Sequence, residues 1–178
     1  MKEEIIISIK DEKLKGNLLD IGTLNYGIIY NIYKFNNDDF KVEYVDSKKN
    51  KIPISKECYD ICTLFLTFSN IMFKKNKKAL LEEIFSYLKD DGYIYVWDID
   101  KKLGRILDSN VKVLMDDNKV KEFTIKDYNI LKDSSEKSIF NLVNKYFDII
   151  YAKKISKVYY IKARKKRRIE NEGNISRD

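Results

Sequence analysis

The sequence predicts an α/β fold, a mostly parallel sheet with helices on both faces, and three observations carry that expectation. Leu18-Leu19-Asp20-Ile21-Gly22 is a short apolar strand ending in an acid and a glycine, and a second glycine, Gly27, opens a helix. Tyr59 to Phe68 is a nearly continuous apolar run, suited to a central strand covered on both faces. From Asn76 to Asp90, Leu80, Leu81, Ile84, Phe85 and Leu88 recur at helical spacing, and a strand follows from Tyr93 to Trp97. Strands alternating with helix-length crossovers are the pattern of a parallel, helix-covered sheet.

The elements follow in order. Lys2 to Lys10 includes an Ile-rich strand candidate, and Gly16-Asn17 punctuates the chain before Leu18. Ile28, Ile29, Ile32 and Tyr33 have helical spacing, and Asn36-Asn37-Asp38-Asp39 ends that helix. Val42 to Val45 alternates as a strand and finishes at Asp46, after which Ser47 to Lys51 is a polar connection. Gly92 is expected to stop the Asn76–Asp90 helix. Val111 to Met115 and Val120 to Ile125 flank Asp116-Asp117-Asn118-Lys119 and read as a hairpin inserted after the fifth strand. Asp133-Ser134-Ser135-Glu136 resembles a capping box, with Asp133 accepting from first-turn amides and Glu136 reaching back. Its helix uses Ile139, Phe140, Leu142, Val143 and Tyr146. Phe147 to Ala152 and Val158 to Ala163 close the fold as two strands, separated by a turn at Lys153-Lys154 or run as a hairpin.

At 178 residues the chain is long enough for one core, and the reading is a single domain over residues 1–163, with the insertion at about 103–127 and a basic tail over 164–178. With 44% apolar residues, six glycines and one proline, it belongs to the ordered globular class. There is no histidine, which excludes a histidine base, Ser-His-Asp or Cys-His nucleophile systems, and any histidine-containing zinc site. Two cysteines, Cys58 and Cys62, are too few for a disulfide scaffold and suit a reduced, cytoplasmic protein. The acidic start Met1-Lys2-Glu3-Glu4 does not suit a signal peptide, and no run approaches the roughly 20 apolar residues of a spanning helix, so no membrane partner is expected. The net charge is +7, with six basic residues between Lys162 and Arg168. Such a run can touch phosphates, although no aromatics interleave with it for base stacking.

The turn at Gly22 to Gly27 offers a ligand site by simple physics. Glycine admits close backbone approach, the next helix presents free N–H groups, and a strand-end carboxylate binds hydroxyl or ammonium groups. By itself the same turn is also ordinary strand-to-helix punctuation. Downstream come Ile52-Pro53-Ile54, Tyr59-Asp60-Ile61-Cys62-Thr63-Leu64, Leu80-Leu81-Glu82-Glu83-Ile84 and Leu88-Lys89-Asp90-Asp91-Gly92. This ordered set, with the only proline six residues before Tyr59, resembles the class I S-adenosylmethionine-dependent methyltransferases over Leu18 to Asp98.

The resemblance implies a Rossmann-like methyltransferase sheet whose C-terminal strand inserts antiparallel, and S-adenosyl-L-methionine as cofactor. Asp20 and Gly22 would lie against the methionine part, with Thr23 beside them, and Gly27 would start the counterpart of the nucleotide loop. Asp46 would accept ribose hydroxyls, or correspond to the acid near the adenine, and Leu64 would floor the site near the sulfonium. Asp98 and Tyr26 are the nearest candidates for a base, each with an ordinary structural reading. Leu24 and Tyr26 stand where the family's loop carries glycines. Asp46 lies only seven residues before Pro53, so the sheet is expected to be shortened by about one strand–helix unit. The function implied is methyl transfer to a small molecule. The alternatives are a methyltransferase-fold interaction module without catalysis, and an RNA methyltransferase that recruits its substrate through Arg164 to Arg168. Neither the methyl acceptor nor the oligomeric state is legible.

Overall fold

The structure is a computed structural model that describes residues 3–10, 12–22, 28–36, 42–46, 54–115 and 119–167. Its strands are β1 (Glu3–Ser8), β2 (Leu18–Gly22), β3 (Val42–Asp46), β4 (Tyr59–Phe65), β5 (Leu88–Ile99), β6 (Leu107–Leu114), β7 (Val120–Asp127), β8 (Phe147–Ile155) and β9 (Val158–Lys165). Its helices are α1 (Ile28–Asn36), α2 (Lys74–Tyr87) and α3 (Glu136–Val143), with a 3-10 turn at Phe68–Asn70.

Two sheets form. The larger has the order β3-β2-β4-β5-β9-β8, and the smaller has the order β1-β6-β7. This corrects the expectation of a mostly parallel sheet. The pairs β2–β3, β2–β4 and β4–β5 are parallel, whereas β5–β9 and β8–β9 are antiparallel. In the smaller sheet β1–β6 is parallel and β6–β7 antiparallel. For β8–β9 and β6–β7 the reason is connection length, because a short link joins antiparallel neighbours, and β9, inserted beside β5, runs against it as well. Only Ser156 and Lys157 separate β8 from β9, so the closing pair is a hairpin, and β9 inserts between β5 and β8. The Ile-rich first strand does not join the larger sheet. It pairs with the inserted hairpin, Ile5 opposite Val111 and Ile7 opposite Val113.

The two faces of the larger sheet are covered differently. On one side α2 and α3 bury Leu81, Ile84, Ile139, Leu142 and Val143 against Leu19, Leu64, Val96 and Ile161. On the other, α1 contributes Ile28, Ile29, Ile32 and Tyr33, and the small sheet contributes Ile5, Ile7, Val111 and Val113. The expected second helical layer is therefore α1 together with a β-layer. Trp97 stacks between Tyr95 and Tyr160 beneath it, with ring centroids 6.0 and 5.0 Å away.

Gly92 does not stop α2. The helix ends at Tyr87, Leu88 takes extended backbone angles, and β5 begins at once. Register slips between the pairs Tyr59–Leu88 and Ile61–Tyr93, which places Gly92 in a bulge. A Cβ there would lie 2.9 Å from the Lys89 carbonyl and 3.0 Å from Leu88, so the bulge requires glycine. The capping box is also altered. The N-cap of α3 is Ser135, without a side-chain cap, and the Glu136 N–H donates to Asp100 Oδ1 at 2.9 Å. Asp133 accepts from the Ser135 N–H instead, at 3.0 Å.

Candidate functional site

The chain direction reverses across the sheet between β2 and β4. From β2 the chain passes through α1 to β3 on one side, then crosses back to β4 on the other. The crevice beyond the carboxyl ends of strands at such a switch point is where open α/β sheets bind ligands. The ladder between β2 and β4 runs only from Leu18–Ile61 to Asp20–Thr63. Beyond it, the Thr67 hydroxyl donates to the Ile21 carbonyl at 2.9 Å, bridging the strand ends. Gly22 lies at the tip of β2, and among the described residues a Cβ on it would meet nothing nearer than 4.0 Å.

Asp20 sits just inside this crevice. Its side chain shares the α1 face with Leu18, while Leu19 and Ile21 face α2 and α3. The Thr63 hydroxyl donates to Asp20 Oδ1 at 2.7 Å, and no cation pairs with the carboxylate among the described residues. Burial pushes the carboxyl up to about 6, against the opposing pull of that hydrogen bond. Thr63 was not singled out from sequence. Its signal is a hydroxyl inside an apolar strand, one residue after Cys62.

Past β4 the backbone is strained. Leu66 is buried and left-handed, with φ of +53°, a conformation that costs a non-glycine residue about 1–3 kcal/mol. Its carbonyl accepts from Ser69 Oγ at 3.1 Å and Asn70 Nδ2 at 2.6 Å, and its N–H donates to the Trp97 carbonyl at 2.8 Å. Asp98 completes this brace. Its carboxylate accepts from the Ser69 N–H at 3.0 Å and from the Ile99 N–H at 2.8 Å. Burial raises its pKa while these donors oppose the shift.

The expected site residues thus fall into separate places. Gly22 and Asp46 are register partners at the ends of β2 and β3, and Asp20 lies two residues inside. Leu64 is fully buried on the opposite face, against the α2–α3 layer, so Leu66 and Thr67 edge the crevice. Asp98 is fully buried beneath the 3-10 turn. Thr23, Tyr26 and Gly27 lie outside the described residues, as does Pro53. Of the basic run, Lys162, Arg164 and Lys165 belong to β9, and Lys165 is buried with its Nζ donating to the Leu88 carbonyl at 2.7 Å.

Three loops stand at the same end of the sheet, and sequence reading did not connect them. Residues 66–73 follow β4, residues 100–106 follow β5, and residues 128–135 follow β7. Lysines stitch them together. Lys132 Nζ donates to the Ser69 carbonyl at 2.9 Å and pairs with Asp127 at 2.8 Å. Lys101, almost wholly buried, donates to the carbonyls of Asn129 and Lys132. Lys77 donates to the Asp133 carbonyl, and burial lowers its pKa. A cleft of about 570 Å³ opens beside the second loop, lined by Asp100, Lys102, Arg105, Leu107 and Lys157.

No protein-family profile matches the sequence, and no curated protein matches it. Solved structures do match in shape. The PH0226 protein of Pyrococcus horikoshii is similar over 86% of this chain and 84% of its own, at 12% identity and a TM-score of 0.60. The 1,6-didemethyltoxoflavin-N1-methyltransferase of Burkholderia thailandensis, with 1,6-didemethyltoxoflavin and S-adenosylhomocysteine bound, is similar over 84% of this chain and 70% of its own, at 12% identity and a TM-score of 0.56. An S-adenosylmethionine-dependent methyltransferase of Mesorhizobium loti is similar over 86% and 93%, at 9% identity and a TM-score of 0.53. The chain has the class I methyltransferase fold.

Proposed function

We propose that the chain is an S-adenosylmethionine-dependent methyltransferase acting on a small molecule. The observation that carries this reading is Asp20: a buried carboxyl at the switch point, raised to about 6, with one hydroxyl partner and no cation among the described residues. Strongly perturbed groups in a crevice are functional candidates, and a cationic ligand would supply the charge this one lacks. The fold favours the same ligand, since the Burkholderia thailandensis enzyme of this shape binds S-adenosylhomocysteine.

S-adenosylmethionine supplies a methyl group on a sulfonium, so the hard chemistry belongs to the cofactor and the protein's work is positioning. Asp20 serves the cationic methionine end, and Gly22 keeps the strand tip clear of side chain. Asp46, in register beside Gly22, takes the adenosine end. Ser69, Asn70 and Asp98 act by holding the crevice edge at Leu66. The cleft beside residues 100–106 is the cavity we assign to a methyl acceptor.

Calorimetric titration with S-adenosylhomocysteine tests this. The expected result is binding that Asp20→Asn weakens by about tenfold or more, because an ion pair in a buried setting is lost. Absence of binding to the wild type at on the order of 1 mM ligand would overturn the enzyme reading and leave a non-catalytic interaction module. An unchanged affinity in Asp20→Asn removes that residue from the site.

A further inference from the structure

The three loops at the carboxyl end of the larger sheet expose apolar side chains that the core does not use. Met72 and Phe73 stand on the first, Leu103 and Ile106 on the second, and Ile130 and Leu131 on the third, with exposures from 38% at Met72 to 68% at Leu131. Single exposed apolar residues are ordinary on a protein surface, but a converging group marks an interaction face. These six converge. The Gly104 N–H donates to the Ile130 carbonyl at 2.7 Å, Asn129 Nδ2 donates to Met72 Sδ at 3.6 Å, and Lys132 ties the third loop to Ser69 of the first.

The same face is basic. Residues 71–78, 100–106 and 126–135 hold nine of the 35 basic residues and three of the 28 acids, Asp100, Asp127 and Asp133. Asp127 is already paired with Lys132 and Lys101, and Asp100 with Lys154. These segments carry an excess of six positive charges, beside the separate basic run at Lys162 to Arg168. Lys74, Lys75, Lys102, Arg105 and Lys126 are exposed and make no ion pair among the described residues.

We propose that this face docks on an anionic lipid bilayer, with its apolar tips in the boundary between headgroups and acyl chains and its lysines and arginine on lipid phosphates. Apolar tips rimmed by free cations are the combination that interfacial binding requires. Most of the exposed apolar side chains here are aliphatic; of the two aromatics, Phe73 and Tyr128, the second is tethered by its hydroxyl to Asp108 at 2.9 Å, which disfavours RNA, whose bases need free aromatic platforms. No helix among the described residues is long and apolar enough to cross a membrane, and the contact proposed is a peripheral one. The proposal does not depend on cofactor binding. It does turn the crevice at Gly22 toward the end of the molecule that meets the lipid.

Co-sedimentation of the full chain with phosphatidylglycerol-containing vesicles, compared with phosphatidylcholine vesicles, tests it. We expect salt-sensitive binding to the anionic vesicles only. The double substitution Leu103→Asp with Leu131→Asp should weaken it about tenfold or more while leaving the basic tail and the circular dichroism spectrum intact. Both leucines are largely exposed, so folding does not depend on them. No sedimentation with anionic vesicles overturns the proposal, as does equal binding to both vesicle types. Binding that survives the double substitution assigns the interaction to charge elsewhere and also overturns it. So does RNA affinity or a dimer that the double substitution abolishes while vesicle binding is absent.

Discussion

Replacing Asp20 by asparagine should make the protein more stable at neutral pH, by an amount set by its burial. The carboxyl titrates at about 6 in the folded chain against 3.8 for an unperturbed aspartate. At about 1.36 kcal/mol per pH unit, that difference corresponds to about 3 kcal/mol. Below 3.8 both states hold the proton, and Asp20 contributes nothing to the pH dependence. Between 3.8 and about 6 the folded state holds a proton that the unfolded state has released, so stability falls as pH rises; above that range the loss is complete. Asparagine keeps the shape and can still accept from the Thr63 hydroxyl, without the charge. The assay is urea unfolding of both proteins from about pH 4 to pH 8, analysed as a difference so that other titrating groups cancel. The two should agree near the acid end and separate by about 3 kcal/mol at the other, a gap of about 6–12 °C in Tm for a chain of this size. A difference that does not change with pH would refute the reasoning, as would an Asp20→Asn protein less stable throughout. Greater stability with lost S-adenosylhomocysteine affinity is the pattern expected of a group kept for binding.

Gly16→Ala should destabilise by about 2 kcal/mol or more in urea unfolding, because Gly16 has φ of +93° and a Cβ would lie 2.7 Å from the Asp60 carboxylate. Ser156→Gly should stabilise by about 0.5–1 kcal/mol in the same assay, since Ser156 takes φ of +55° in the two-residue turn between β8 and β9. Asp98→Ala should cost about 3 kcal/mol, because it strips the Ser69 and Ile99 amides of their acceptor in a fully buried position. Ile7→Ala should cost about 2–4 kcal/mol, since Ile7 is fully buried between the two sheets.

The strands and helices with strong periodicity were legible because burial writes itself into spacing. Tyr59 to Phe68 reads as a central strand and Tyr59–Phe65 is one, while Leu81 and Ile84 mark the buried stripe of α2 as the sequence indicated and Leu88 begins the next strand. Partner choice was not legible, because alternation says that a strand has an inner face without saying which strand lies beside it. Ile5, Ile7 and Ile9 therefore announced a strand but not its pairing with residues more than 100 positions away. Gly92 illustrates a local failure. Glycine after a helical stripe fits a stop and a bulge equally, and only the contact with Lys89 and Leu88 decides between them. At the site, the strand–Asp–Gly signature pointed to the switch point, but Thr63 and the three stitched loops come together only in three dimensions. The same holds for a membrane face assembled from Met72, Leu103 and Leu131, since no apolar run records it in the sequence.

The parallel pairing of β1 with β6 sets an order of assembly. Residues 3–8 are the first part of the described structure to be synthesised, yet their partner strand ends at Leu114. Until that segment has been made, Ile5, Ile7 and Ile9 have no ladder to join and remain a sticky β-prone segment open to wrong partners. The chain must close a loop of more than 100 residues here, which makes docking of β1 a late event. A molecule arrested before that step would keep α1 and the larger sheet while baring one apolar face to chaperones and proteases.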